Sequence, residues 1–301
     1  MVEKSVVVTG ANGFIGAAIC KNLSNSRVKV YAIVNDSSEN IEHLENVIIV
    51  RSEKDNIKDI VGSDVISEFY HLAWVGSAGP LRADENVQLS NIQNSCNAIR
   101  LCKELGCTRF VFASSIMEYE VNTLMESELV PGINTIYSTA KLTADYMLRA
   151  IAGNIGLDYI RAVISNIYGP GETSPRMVNT SIRKMLSGEH CAFSEGKQMY
   201  DFIYIDDAAE AFCRIGEKGI SNRTYYIGSL NPKPLREFLL EMRDAIDPRI
   251  EIGLGEIPFG GISLTYKEFD VNAVKNDTGF IPKVSFKEGI KKTAIWIKNG
   301  N

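Results

Sequence analysis

A chain of 301 residues with 45% hydrophobic content is long enough to bury a substantial core, in one large domain or two closely joined ones. A formal net charge of -5 offers no basic field to nucleic acid or an anionic membrane, and the apolar runs fall far short of the ~20 residues that span a bilayer. Six scattered Cys without a Cys-x-x-Cys pair, three His, and a start at Met1-Val2-Glu3-Lys4 that leaves no room for a signal peptide predict a cytoplasmic protein with reduced thiols and no metal centre.

The run Ser5-Val6-Val7-Val8 has the continuous apolar character of a strand buried on both faces of a parallel sheet. It enters Thr9-Gly10-Ala11-Asn12-Gly13-Phe14-Ile15-Gly16, and a helical pattern follows from Ala17 to Leu23. Strand, glycine-rich turn and helix together predict a pyrophosphate site, because missing Cβ atoms let the backbone approach a phosphate held at a helix N-terminus. Gly10, Asn12, Gly13, Phe14, Ile15 and Gly16 are therefore assigned to a dinucleotide. A second strand, Lys29 to Val34, ends at Asn35-Asp36-Ser37-Ser38. Carboxylates that hold a free ribose 2′-hydroxyl stand at the tip of this strand, and here Val34 and Asn35 occupy the tip, with Asp36 beyond it. The missing acid points to NADP(H) ahead of NAD(H), with Asn35, Asp36 and Ser37 nearest the ribose.

Val47 to Val50 reads as a third strand and Glu68 to Trp74 as a fourth, with His71 packed inside it. Leu72, Ala73 and Trp74, at its C-terminal end, are assigned to the cofactor. Ser77, in the loop from Val75 to Pro80, is assigned to the substrate, since ligands gather at this edge of doubly wound sheets. A helix from about Asp84 to Leu105 stops at Gly106, and a fifth strand, Arg109 to Ala113, finishes in Ser114-Ser115. Alternating strands and helices without internal repeats give an α/β fold, a Rossmann-type doubly wound parallel sheet.

Tyr137 and Lys141 lie one turn apart on a helix whose apolar stripe is Ala140, Ala144, Met147, Ile151 and Ile155. A phenol is a poor base near neutral pH, but a nearby ammonium favours the phenolate, so Tyr137 can exchange a proton with an alcohol or ketone. Ser115, 22 residues earlier, is placed to hydrogen-bond the reacting oxygen.

Thr9-Gly10…Gly13…Gly16, Ser114-Ser115 and Tyr137…Lys141 resemble the extended short-chain dehydrogenase/reductase family, in its branch of NAD-dependent epimerases and dehydratases acting on nucleotide sugars. The likeness continues through Ser165 to Gly171, Asp201 to Asp207, Asp270 to Val274 and Thr278 to Pro282, and so covers essentially the whole chain. It implies a catalytic triad of Ser115, Tyr137 and Lys141, of which Tyr137 and Lys141 also contact the cofactor, Asn91 behind the active site, and Asn166 beside the sugar diphosphate. It also implies a dinucleotide-binding domain of residues 1–166 plus about 196–227, and a smaller substrate domain of about 167–195 and 228–301. A homodimer is the expected assembly.

Departures from the family pattern narrow the chemistry. Dehydratases of the family carry Asp-Glu directly after the catalytic hydroxyl residue, where this chain has Ile116 and Met117. Its 3,5-epimerase/reductases use a Cys at the place of Ile116 and a His downstream, where His190 is poorly placed. Tyr200 replaces an Arg that grips the diphosphate, leaving Arg176, Arg183, Lys184 or Lys197 to meet that charge, although most charges in 172–197 read as a solvated helix face. Ile116, Arg176 and Tyr200 join Ser77, Ser115 and Asn166 as expected substrate contacts. The resemblance thus implies reduction of a nucleotide-linked 4-keto (6-deoxy)hexose, as in reductases of the CDP-abequose-synthase type, with 4-epimerisation on tightly held NAD as the alternative. Other carbonyl substrates, and a Rossmann-fold redox sensor without chemistry, stand behind these.

Overall fold

The computed structural model describes residues 4–300. β1 (Ser5–Thr9) leads into α1 (Phe14–Asn25) and β2 (Lys29–Val34), followed by β3 (Val47–Arg51), α2 (Ile57–Val61) and β4 (Ile66–His71). α3 (Glu85–Glu104), β5 (Arg109–Ser115), α4 (Tyr119–Met125), α5 (Thr135–Ile155) and β6 (Asp158–Ile164) come next. The remainder holds β7 (Asn166–Tyr168), α6 (Met177–Ser187), β8 (Cys191–Phe193), β9 (Met199–Tyr200) and β10 (Phe202–Tyr204). Then follow α7 (Ile205–Lys218), β11 (Thr224–Ile227), β12 (Lys233–Pro234), α8 (Leu235–Ile246), β13 (Ile252–Leu254), α9 (Ala273–Thr278) and α10 (Phe286–Lys298).

Seven of these strands form one parallel sheet in the order β11-β6-β5-β4-β1-β2-β3. Its strands alternate between two apolar cores. Val6, Val8, Val30, Ala32 and Val111 face a layer that includes α1 and α7, while Val7, Tyr31, Phe69, Phe110 and Phe112 face α3 and α5. Burial on both faces explains why these strands are apolar throughout. The chain runs outward one way from β1 and the other way from β4, so the C-terminal ends of this adjacent pair part into a crevice. Around it lie three small sheets, β7 with β10, β9 with β12, and β8 with β13, and α10 packs against α6 and α8.

Two elements differ from expectation. β4 ends at His71, not Trp74, because past Leu72, whose N–H still reaches Thr9 O (3.2 Å), the backbone turns to side chains: Ala73 N–H donates to Thr9 Oγ1 (3.3 Å) and Val75 N–H to Asn91 Oδ1 (3.0 Å). By sequence, the acidic pair Asp206-Asp207 reads as the cap of a helix over 208–215. The helix instead starts at Ile205, and Asp207 Oδ2 accepts from Lys283 N–H (3.0 Å) and Val284 N–H (2.8 Å), tying down the approach to α10. No helix among the described residues is long and apolar enough to cross a membrane.

Candidate active site

The crevice opens into a cleft of about 1070 Å³. One end is built by the loop after β1. Gly10 takes a left-handed φ of +66°, and a Cβ there would stand 2.7 Å from Ala73 N. Gly13 precedes the first turn of α1 and donates its N–H to Gly10 O (3.0 Å), and a Cβ on Gly16 would come within 2.9 Å of Ala11 Cα. Only glycine fits this curl, and it leaves the first N–H groups of α1 facing the cleft, the cradle a pyrophosphate needs. Gly10, Gly13, Phe14, Ile15, Gly16, Leu72 and Trp74 line the cleft.

Of the other residues assigned to the cofactor, Tyr137 and Lys141 line it as well, whereas Ala73, Asn12, Asn35, Asp36 and Ser37 do not. Ala73 backs onto Gly10. Asn12 donates to Ser37 Oγ (3.1 Å) and accepts from Asn40 N–H (2.9 Å), while Asn35 accepts from Ser52 Oγ (3.2 Å). Asp36 is exposed two residues past the end of β2.

Ser115, Tyr137 and Lys141 come together from β5 and α5 at the floor of the cleft. Ser115 Oγ accepts from Met117 N–H (3.2 Å), which leaves its own proton free to donate, and its hydroxyl pulls the nearby Tyr137 phenol down. Burial pushes that phenol up, against the pull of Ser115 and of the Arg82 and Arg176 charges. Lys141 Nζ donates to Ala113 O (2.7 Å) and sits 3.8 Å from the centroid of the Trp74 ring. Burial brings its ammonium down to about 7, with Glu118 opposing. His71 lies below, between Thr9 Oγ1 (2.8 Å) and Ser95 Oγ (2.9 Å), and burial pushes it down to about 3. It is neutral and structural.

Three side chains of this region carry no signal in local sequence spacing. Arg82, in the short turn Pro80–Ala83, places its guanidinium carbon 4.2 Å from the centroid of Tyr137. Glu120 lines the cleft, accepts from Ser138 Oγ (2.8 Å), and its carboxyl is raised by burial against the pull of Ser138 and Arg82. Glu118 is turned away and buried, where it accepts from Ser115 N–H (3.0 Å), from the Ser114 hydroxyl and from Arg161. Asn91, assigned a place behind the site, holds both polar groups of Val75, the N–H at 3.0 Å and the carbonyl at 2.8 Å.

Ser77, Ile116, Asn166, Arg176 and Tyr200 all line the cleft. Asn166 is fixed by donating to Asp201 O (3.0 Å), and Tyr200 stacks on Phe202 with centroids 5.7 Å apart. Arg176 precedes α6 and pairs with Glu172 (3.6 Å). Of the four cations considered for the diphosphate, it is the one lining this cleft; Lys197 is paired with Glu195 beside a separate depression. Ile116, Met117, Leu124, Leu129, Val130 and Ile262 give the cleft an apolar wall.

The profile of the NAD dependent epimerase/dehydratase family matches residues 6–228. The chain belongs to that family. Its sequence is similar to that of dTDP-glucose 4,6-dehydratase of Escherichia coli, 24% identical over 98% of this chain and 93% of the relative. In fold it resembles the UDP-N-acetylglucosamine 4-epimerase of Methanobrevibacter ruminantium M1, solved with UDP-N-acetylmuramic acid (TM-score 0.83, 24% identity, 100% of each chain). It likewise resembles the UDP-glucuronic acid 4-epimerase of Bacillus cereus, solved with UDP-glucuronic acid and NAD (TM-score 0.79, 21% identity, 99% of this chain and 100% of the other). The NAD in that structure and the family's own dependence overturn the expected preference for NADP(H). The physical reason is that a missing carboxylate removes a repulsion but adds no attraction. A 2′-phosphate needs a cation, and the groups joined here beside the tip of β2 are the neutral Asn12, Ser37 and Asn40.

Proposed function

We propose that this chain is an NAD-dependent enzyme that moves one hydride and one proton at a single carbon, C4, of a nucleotide-linked sugar. In the direction of reduction, Tyr137 Oη gives the proton to the carbonyl oxygen, while Ser115 Oγ donates a hydrogen bond to that oxygen and holds it at the phenol. The reduced nicotinamide supplies the hydride. The observation that carries the reading is the placing of Ser115, Tyr137 and Lys141 on the floor of one cleft whose other end is the glycine loop. In this division of labour, residues 1–166 and about 196–227 hold the dinucleotide, while about 167–195 and 228–301 face the sugar.

Net reduction of a 4-keto-6-deoxyhexose is the first outcome. It is supported by the apolar wall of Ile116, Met117, Leu124 and Leu129, which suits a sugar that carries a methyl group. The 4-epimerases among the structural relatives support the second, in which hydride leaves and returns to the opposite face. Dehydration would require an acid and a base directly after Ser115, where Ile116 and Met117 cannot move protons. Tyr137→Phe should lower turnover by ~10²–10⁴-fold while leaving NAD affinity unchanged. Retention of more than about a tenth of the activity would remove Tyr137 from the proton step. Counting NADH per sugar converted separates the outcomes: one consumed per turnover in reduction, none in epimerisation.

A further inference from the structure

We propose that Arg82 is a permanent cation that, alongside Lys141, lowers the proton affinity of the Tyr137 phenol, a positioning role held by the loop after β4. The proposal rests on the reading of Tyr137 as the proton-transfer group and adds the residue that tunes it. The geometry is specific. The Arg82 guanidinium carbon lies 4.2 Å from the ring centroid of Tyr137 and lines the same cleft, and among the described residues Arg82 forms no ion pair. Its charge is therefore not spent on a carboxylate within 4 Å. Stacking over an aromatic face also suits the flat, weakly hydrated guanidinium better than an ammonium.

The loop that presents Arg82 is built to hold it there. Gln88, buried on α3, accepts from Trp74 Nε1–H (2.8 Å) and donates to Leu81 O (3.0 Å) and Gly76 O (3.3 Å). Asn91, also buried, bonds both backbone groups of Val75. Gly76 adopts a φ of +72°, and a Cβ there would stand 2.6 Å from Leu81 O, so the loop closes on itself only with glycine. Two buried amides and a glycine thus fix the turn Pro80–Ala83 over α5.

Lys141, the cation one turn from Tyr137, does not keep its charge across the working pH range. Its Nζ is bonded to Ala113 O and capped by the Trp74 ring, and its charge is shed as pH rises through about 7, whereas a guanidinium stays charged throughout. The other groups that act on Tyr137 are the Ser115 hydroxyl from β5, Arg176 ahead of α6 and Glu118 after β5, while Glu120 on α4 is bonded to Ser138. Arg176 is paired with Glu172, and Glu118 with Arg161. Arg82 is the cation in this set that is both permanent and without a paired carboxylate.

The test is a pH titration of phenolate absorbance on the full-length protein, with and without Tyr137→Phe, in three backgrounds: wild type, Arg82→Gln and Arg82→Lys. Subtracting each Tyr137→Phe partner isolates the one phenol. Arg82→Gln should raise its midpoint by about one pH unit, because loss of a facing cation disfavours the phenolate. Arg82→Lys, which keeps a charge, should raise it by less. The acidic limb of the kcat/KM profile for sugar oxidation should move upward with the midpoint. A midpoint in Arg82→Gln that coincides with wild type, in a variant with an unchanged thermal transition, overturns the proposal. If Tyr137→Phe keeps full turnover, the proton-transfer reading fails, and the titration still decides whether Arg82 tunes the phenol.

Discussion

At the scale of single residues, the site is a contest between burial and charge. Tyr137 is 6% exposed, and desolvation alone would hold its phenol protonated well above neutrality. Lys141 answers part of this. Its value near 7 gives a definite sign: below about pH 7 the ammonium is charged and favours the phenolate, and above it that support fades. The wild-type pH profile should therefore carry an inflection near 7 that Lys141→Met removes, together with a loss of activity. Measuring kcat/KM from about pH 5.5 to 8.5 checks this, and an inflection that survives the substitution would belong to another group. Glu118 shows the opposite outcome of burial. It follows the Ser pair and looks from its position like a free acid, yet it is bonded to Ser115 N–H, the Ser114 hydroxyl and Arg161. Breaking such a buried pair costs about 3–5 kcal/mol, so Glu118 serves to hold the end of β5 and is not available to the substrate.

At the scale of elements, the parallel strands and the glycine loop were legible because each is specified by neighbours in sequence. An apolar run buried on both faces marks β1 and β2, and three glycines at fixed offsets mark the turn into α1. β4 was read three residues too long, since Leu72 to Trp74 continue the apolar pattern while the backbone leaves the ladder, Ala73 N–H for Thr9 Oγ1 and Val75 N–H for Asn91 Oδ1. Arg82 and Glu120 were not legible at all. Arg82 meets Tyr137 through the turn after β4, and Glu120 meets the neighbouring Ser138 through α4, across 55 and 18 residues of chain, and no periodicity encodes those meetings. The glycine loop yields the sharpest prediction at this scale. A methyl at position 16 would press on Gly10 and Ala11, so Gly16→Ala should weaken NAD binding at least tenfold, about 1.4 kcal/mol. Calorimetry on a folded variant that returned wild-type affinity would show that the loop yields without loss.

At the scale of the whole molecule, the sugar end of the cleft depends on a segment far along the chain. α10 sends Thr293 to the cleft wall, and a Cβ on Gly289 would stand 2.8 Å from Tyr168 Cζ, so helix and β7 are in close contact next to Asn166. Asp207 holds the approach to this helix with its two backbone hydrogen bonds at 283 and 284. Asp207→Ala strips the acceptor from both N–H groups and should lower stability by about 1–3 kcal/mol, with Asp207→Asn recovering part of the loss. If the proposed division of labour holds, with the sugar beside this helix, NAD affinity should stay at the wild-type value while KM for the nucleotide sugar rises. Thermal unfolding and paired titrations with NAD and substrate would read both effects. A fall in NAD affinity equal to the change in KM would mean that the tether stabilises the molecule as a whole and gives the sugar end no separate support.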